Sequence, residues 1–470
     1  MALGTAAAVD QLRTAFLGKV VTPKVESKYQ GAVTRRWSQT CWTPAAAYVY
    51  LSNVQELTEA LAIVKKTGSK FAIRTTGHNP NAGFSSADET AIVLDIRQFQ
   101  SKELTSDGVA RVGSGNTCGE VYAWLEEQKL SAIGGRDQQV GLGGFLHGGG
   151  MGALPNLHGL GADGVRNFED LLADGRLINT NANENADLHR VLKGGGSNYG
   201  IVTRFDLETH PLINVQYTIN LYSPDDHVEI NKATVAVQKA MEDDPKIGLF
   251  TNFNNGFVAV GLLYGDTPAE PPSAFESFYN LKGLMTTALP TTNGTLLSLA
   301  QAMGHAQVSQ KRAVCSVTTQ VSQELYEEVY KSWTEVCKTL PAGCVLHYTI
   351  QPMGKAGVEA GKDRGENIMG HESIPQCWWV FTCEWPQEGS DDDVAQQAVN
   401  KMSETVHSLA RKAGLLLDFK CMSFSMASQR VLGSYGAENI KRMQEAAAKY
   451  DPEGVFQKLQ YGGFLLHNNV

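Results

Sequence analysis

A chain of 470 residues is longer than one hydrophobic core organises, so two or three domains are expected. Its 42% hydrophobic and 19% charged content, with a mean hydropathy of -0.21, is ordinary for a soluble globular protein, and no stretch approaches the roughly 18 apolar residues of a membrane span. A net charge of -9 and a pI near 5.7 exclude a nucleic-acid partner, because gripping phosphate backbones takes clustered Lys and Arg. The first residues carry Asp10 and Arg13 inside their apolar part and have no basic lead, so no signal peptide is expected. Eight scattered cysteines without a CxxC fit a reduced, cytoplasmic chain.

Residues 1–36 read as a helix and a lead-in. From Ala47 strand and helix patterns alternate: AYVYLS, then SNVQELTEALAIVKKTG, then KFAIRTTG, then AIVLDIRQF. Asn53 with Glu56 three residues on predicts an N-terminal cap, and Gly68 predicts the helix end. VARVGSG and CGEVYAWLEEQK continue the series, and FEDLLADGRLINTN predicts a hairpin turning at Asp174-Gly175. Over 213–430 glycine thins. Helical patterns at about 229–242, 272–282, 322–339 and 393–414 separate strand-like runs such as AVCSVTTQV, CVLHYTIQP and CWWVFTCEW, which predicts an antiparallel sheet backed by helices. Alternation sends Trp379 and Phe381 to one face and Trp378 with Val380 to the other. Residues 431–470 form a closing segment with a helix at ENIKRMQEAAAKY. The fold class is α+β.

Three segments carry the functional signal. Gly134 to Gly164 holds twelve glycines in thirty-one residues, and glycine that dense is costly to order unless backbone must come close to something. IRTTGHNPNAGF and KGGGSNYGIVTRF flank it. Arg74, Thr75, Thr76, Gly77, His78, Asn79 and Gly83 offer hydroxyls and successive amides that can converge on phosphate oxygens. Gly148-Gly149-Gly150-Met151-Gly152-Ala153 satisfies G-x-G-x-x-A, but it follows a loop and not a strand, which weakens a Rossmann reading. No P-loop, no G-x-S-x-G elbow and no pair of histidines at metal-ligand spacing occurs, so no metal site is expected.

RTTGH resembles the R-S-G-G-H loop of berberine-bridge-enzyme-like flavoproteins, a branch of the vanillyl-alcohol-oxidase superfamily. The likeness continues through GGRDQQVGLGGFLHGGGMG, NFEDLLADGRLINTNANENADLHRVLKGGGSNYGIVTRF and SYGAENIKRMQEAAAKYDPEGVFQKLQYGGF, about half the chain. It is closest in texture to fungal FAD-linked oxidoreductases of secondary metabolism. The resemblance implies a PCMH-type FAD-binding domain over 37–212, a substrate domain over 213–430, and a C-terminal segment returning to the flavin. It implies an 8α-histidyl bond from His78, and no 6-S-cysteinyl bond, since Asp137 stands where some relatives have the second linking Cys. Val140, Gly141, Gly143, Gly144, Gly148, Gly149 and Gly152 would border the ring and ribityl chain, with Gly200, Ile201 and Val202 at the adenine and Tyr435, Asn439 and Tyr461 returning to the flavin.

The chain departs from the family at the Y-x-N-Y-A-like strand, whose places hold Ser423, Ser425 and Met426, and an unassisted serine is a poor base. Three readings stay open. A base comes from elsewhere, with Asp137, Tyr348, His158 and His147 as candidates; the substrate is activated enough to need little help; or the pocket guides a cyclisation, Diels–Alder-like, through shape with little net redox chemistry. The partners implied are O2 and a hydrophobic or aromatic natural-product intermediate, a carbohydrate fitting less well. Oligomeric state is not legible.

Overall fold

The computed structural model describes residues 3–304, 309–386, 388 and 391–470. Among them, no helix is long and apolar enough to cross a membrane, and all eight cysteines are free thiols.

The first layer is a small sheet of β1 (Val20–Val21), β2 (Ala47–Tyr50), β3 (Lys70–Arg74) and β4 (Ala91–Asp95), in the order β1-β2-β4-β3. β2 and β3 both run parallel to β4, while β1 is antiparallel to β2. Parallel strands are buried on both faces, which is why β4 reads as an unbroken apolar run from Ala91 to Leu94 before it ends on the buried Asp95. The helix Val54–Thr67 covers the sheet with Leu57, Ala60, Leu61 and Val64, spaced to share one face. Each leucine so buried contributes about 1.5–3 kcal/mol. Asn53 accepts from the Glu56 amide at 3.0 Å and Gly68 ends the helix at φ 67°, as expected, but the Glu56 carboxylate reaches the amide of Ser52 and not that of the cap residue.

The second layer is antiparallel: β5 (Lys102–Leu104), β6 (Ala110–Gly113), β8 (Val165–Leu171), β9 (Leu177–Asn181) and β10 (Ile201–Leu207), ordered β5-β6-β10-β8-β9. A short pair, β7 (Leu130–Ser131) with β11 (His210–Pro211), lies beside it. β8 and β9 form the expected hairpin, with Gly175 at φ 88°.

The third layer is an eight-stranded sheet ordered β15-β12-β14-β13-β17-β18-β16-β19. Its strands are β12 (Asn214–Tyr222), β13 (Ile247–Asn254), β14 (Phe257–Tyr264), β15 (Leu284–Thr295), β16 (Lys311–Gln320), β17 (Val345–Met353), β18 (Gln376–Trp385) and β19 (Leu416–Leu417). Helices His227–Ala240, Gln323–Cys337 and Asp392–Lys412 back one face, and their shared core takes Phe253, Tyr348, Trp379, Phe381 and Trp385. Trp378 points the other way, into the core of the glycine-rich half. The long helix expected at 272–282 is only a 3-10 turn, Ser273–Phe275, and one helical turn, Glu276–Tyr279. Only Phe275 and Phe278 are buried there, too little apolar surface to hold more.

The helix Ala437–Tyr450 then packs on Ala186–Leu192, and the chain returns to the first sheet. The Phe71 amide donates to Leu459 O at 2.9 Å and the Tyr461 amide to Phe71 O at 2.7 Å.

Candidate active site

The loop after β3 is held from below by charge. Arg74 and Asp95 sit side by side at the ends of β3 and β4, both essentially unexposed, with Arg74 Nε donating to Asp95. Arg35 adds a second contact to the same carboxylate. Beyond Arg74 the chain turns at Gly77 (φ 75°), whose carbonyl accepts from the amides of Trp37 at 3.1 Å and Asn79 at 3.0 Å. Asn81 fastens the far end of the loop, donating to Ser425 O and accepting from the Ala427 amide, each at 2.9 Å. Tyr461 closes that end: a Cβ on Gly83 would come within 3.2 Å of its ring. Burial and Asp88 push the Tyr461 phenol up to about 12.

The glycine run lies directly against this loop. A Cβ on Gly141 would fall 2.4 Å from Thr76 Oγ1, and one on Gly143 would touch Thr75 Cγ2 at 3.5 Å. Gly144, one residue on, is exposed and would meet nothing within 4 Å. Gly148 abuts Ser423, Gly149 abuts Met369, and Gly152 abuts the carbonyl of Gly134. The helix Leu142–His147 thus presents bare backbone to an open side.

The surrounding donors fit a dinucleotide with a charged diphosphate. Arg36 is 7% exposed, its Cδ would lie 3.0 Å from a Cβ on Gly77, and its Nε and Nη2 are buried with no hydrogen-bond partner. Burial lowers its guanidinium to about 10, so it stays cationic at neutral pH. Buried donors left unmatched are costly, and an anion answers them.

His78 stands at the mouth of the loop. Its ring stacks on Trp37, with centroids 4.7 Å apart and planes at 18°. Burial lowers its pKa to about 4, the Asp137 charge opposing and the Arg312 charge adding. The imidazole is therefore neutral at pH 7. Arg312, on β16, lies over the other partner of the stack, Cζ 4.3 Å from the Trp37 ring centroid, and its Nη1 donates to Trp37 O at 2.6 Å.

The contacts continue across the sheet face that looks toward the glycine run. Arg312 Nε donates to Glu384 Oε1 at 2.7 Å, and Glu384 Oε2 lies 3.6 Å from His347 Nε2. His347 Nδ1 accepts from Asn252 Nδ2 at 3.1 Å, which leaves the Nε2 proton directed at the carboxylate. Burial alone would raise Glu384, but hydrogen bonds and charge from His347 and Arg312 outweigh it and hold the carboxyl at about 2. The Glu384 carboxylate thus faces one nitrogen of the His347 ring and Asn252 the other, which fixes the ring's orientation.

The structure separates the expected catalytic residues. Asp137 is beside His78 and acts on its charge, while its Oδ1 accepts from the Gln139 amide at 2.8 Å. Tyr348 is on the wrong face. It is fully buried among Phe253, Trp333 and Trp379 on the helix side of β17, and its hydroxyl has no partner, so alternation gives the cleft side to His347. His158 is also misplaced as a base. It stacks on His210 at 3.6 Å between centroids, burial and that neighbour lower it to about 4, and its carbonyl is held by Arg364. His147 spends Nδ1 on Gly143 O at 2.7 Å.

Ser423 is exposed beside Gly148, whereas Ser425 is buried and donates to Cys421 O at 2.8 Å. Met426 Sδ accepts from the Val314 amide. Gly200 lies against the buried carboxyl of Asp170, which burial raises to about 8, and Ile201 and Val202 follow in β10. Tyr435 donates to Gly194 O at 2.9 Å, and Asn439 donates to Tyr435 O at 3.0 Å. Sequence reasoning missed Arg36, Trp37, Arg312, Glu384 and His347. Only the alternation of CVLHYTIQP carried a hint, by opposing His347 to Tyr348.

Comparison with known proteins adds an independent view. Residues 45–181 match the FAD binding domain family. An FAD-dependent monooxygenase of Arthrobotrys oligospora is 34% identical over 96% of this chain and 88% of its own length. One from Penicillium terrestre is 30% identical over 99% of this chain and 90% of its own. Among solved structures, the glucooligosaccharide oxidase of Acremonium strictum, whose FAD carries 6-S-cysteinyl and 8α-N1-histidyl bonds, superimposes with a TM-score of 0.81 at 16% identity. That match covers 95% of this chain and 97% of the oxidase.

Proposed function

The chain belongs to a family of fungal FAD-dependent monooxygenases with an FAD binding domain, and from that premise we propose that it is a berberine-bridge-enzyme-like oxidoreductase that performs a tailoring oxidation on a small apolar or aromatic natural-product intermediate, with FAD joined to His78 alone. FAD held there would supply a two-electron acceptor for the substrate's hydride, reoxidised by O2 with H2O2 as the by-product. The observation that carries this reading is the loop ending at His78, which stacks on Trp37, with Gly141 and Gly143 of the glycine run packed on Thr76 and Thr75 of the same loop.

Each part of the site has a task. Thr75, Thr76 and the backbone at Gly77, with Arg36 beneath, hold the diphosphate. Gly141 and Gly143 let the glycine run close on Thr76 and Thr75, Gly144 would leave bare backbone for a flat ring, and Gly200 to Val202 would border the adenine end. No cysteine stands at Asp137, so one covalent bond forms and not two. The substrate would lie against the polar face of the eight-stranded sheet. There His347 Nδ1 takes the substrate's hydroxyl proton, exchanging Asn252 for the substrate, while Glu384 steadies the imidazolium that results.

A spectrum followed by acid precipitation tests the cofactor claim. Yellow colour stays with the pellet if His78 is linked, and free flavin in the supernatant defeats the claim. An oxygen electrode run with a panel of phenols and allylic alcohols tests the reaction, with one H2O2 expected per product. Because relatives carry the name monooxygenase, the run is repeated under 18O2, and label in the product would replace simple oxidation by oxygen transfer. A second reading draws on Ser423, Ser425 and Met426 standing where a tyrosine strand is usual: a cyclase that works by shape. Product formed without O2 uptake would favour it.

A further inference from the structure

Trp37 is held in an unusual way. Its indole nitrogen is buried without a hydrogen-bond partner, although a buried indole N–H ordinarily finds one. What the side chain uses is its two faces. His78 stacks on the ring at 4.7 Å and 18°, and the Arg312 guanidinium lies over the ring with Cζ at 4.3 Å. Arg312 is itself fixed: it is 5% exposed, its Nε is held by Glu384 at 2.7 Å, and its Nη1 is held by the carbonyl of Trp37 at 2.6 Å.

The backbone is stitched to match. Ser38 and Gln310 form a parallel bridge, the Gln39 amide donates to Gln310 O at 2.9 Å, and the Trp37 amide donates to Gly77 O at 3.1 Å. One short segment, 37–39, therefore ties the loop that bears His78 to the first residues of β16.

We propose that Arg312 and Trp37 are positioning residues for attachment of the cofactor, clamping the His78 imidazole in the orientation from which it joins the 8α carbon of FAD. The inference rests on His78 being the linked residue. A cation over the indole strengthens the hold on that ring and draws no proton from His78. The imidazole so held stays neutral, and a neutral ring nitrogen is the nucleophile the bond needs. The N–C bond forms, one C–H bond of the 8α methyl group and the ring N–H bond break, and dioxygen leaves with both hydrogens and two electrons as H2O2.

The test needs no substrate. Holoprotein is purified as wild type and as Trp37→Ala, Trp37→Phe, Arg312→Ala, Arg312→Lys and His78→Ala. Total flavin is read from the visible band, and linked flavin from fluorescence in a denaturing gel. Wild type is expected to be fully linked and His78→Ala to bind flavin with none linked. Trp37→Ala and Arg312→Ala should retain flavin but link it at least tenfold more slowly, or in a small fraction of molecules. Trp37→Phe and Arg312→Lys, which keep a stacking face or a cation, should recover most of the linkage. If Trp37→Ala does not fold, Trp37→Leu replaces it, keeping bulk without an aromatic face. Full linkage at the wild-type rate in Trp37→Ala or Trp37→Leu, beside linked wild type, overturns the clamp alone. Release of flavin by acid from wild type overturns the His78 assignment and the clamp with it.

Discussion

The glycine-rich half and the eight-stranded sheet meet the same cleft with opposite means. On one side the surface is bare backbone, with Gly141 pressed on Thr76 and Gly144 open to space. On the other it is made of long side chains, Arg312, Glu384, His347 and Asn252, each holding the next. Backbone cannot be exchanged residue by residue, so the first side is committed to one flat, phosphorylated ligand. Side chains can be exchanged, so on the function proposed above the second side is where chemistry and substrate are chosen.

That contrast can be broken most severely at Gly141. A Cβ there overlaps Thr76 Oγ1, so Gly141→Ala should lower flavin content about tenfold or more, read as the ratio of visible to protein absorbance. Adding Thr76→Ala should restore part of it, because the two changes share one contact. Across the cleft, His347→Ala should bind FAD normally yet lower kcat by about 10²–10⁴, the usual share of a general base, in an oxygen-uptake assay.

Glu384→Gln tests the electrostatics. The folded carboxyl titrates at about 2, below its unfolded value near 4.3, so its stabilisation is present above pH 4.3 and is lost as pH falls toward 2. Wild type should therefore lose about 1–3 kcal/mol more than the variant between pH 6 and pH 3, seen as convergence of their thermal midpoints. The smallest effect is expected at Tyr348→Phe, whose lost hydroxyl has no partner and faces the helices. Turnover and stability should stay within roughly 0.5 kcal/mol of wild type.

The two sides also differ in how far they can be read from sequence. The loop at Arg74 to His78, the glycine run and the hairpin at Asp174-Gly175 are local signals, because dense glycine and turn residues are rare without a reason. The sheet face is not local. Alternation opposes His347 to Tyr348, yet only the packing of three helices decides which of them is buried. Trp37 and Arg312 are far apart in sequence and adjacent in space, and no spacing rule joins them. The helix expected at 272–282 failed for a related reason: its periodic pattern has only Phe275 and Phe278 buried, and periodicity without burial does not hold a helix.

The return of residues 459–461 to the edge of β3 has a consequence for how the protein is made. Phe71 hydrogen-bonds to Leu459 and Tyr461, and Tyr461 packs on Gly83. During synthesis the loop bearing His78 emerges early, but its outer wall does not exist until residues near 460 have left the ribosome. Closure of the site therefore waits for the residues near 460, and a nascent chain stalled anywhere in the sheet would carry a complete set of glycines and no closed site to use them.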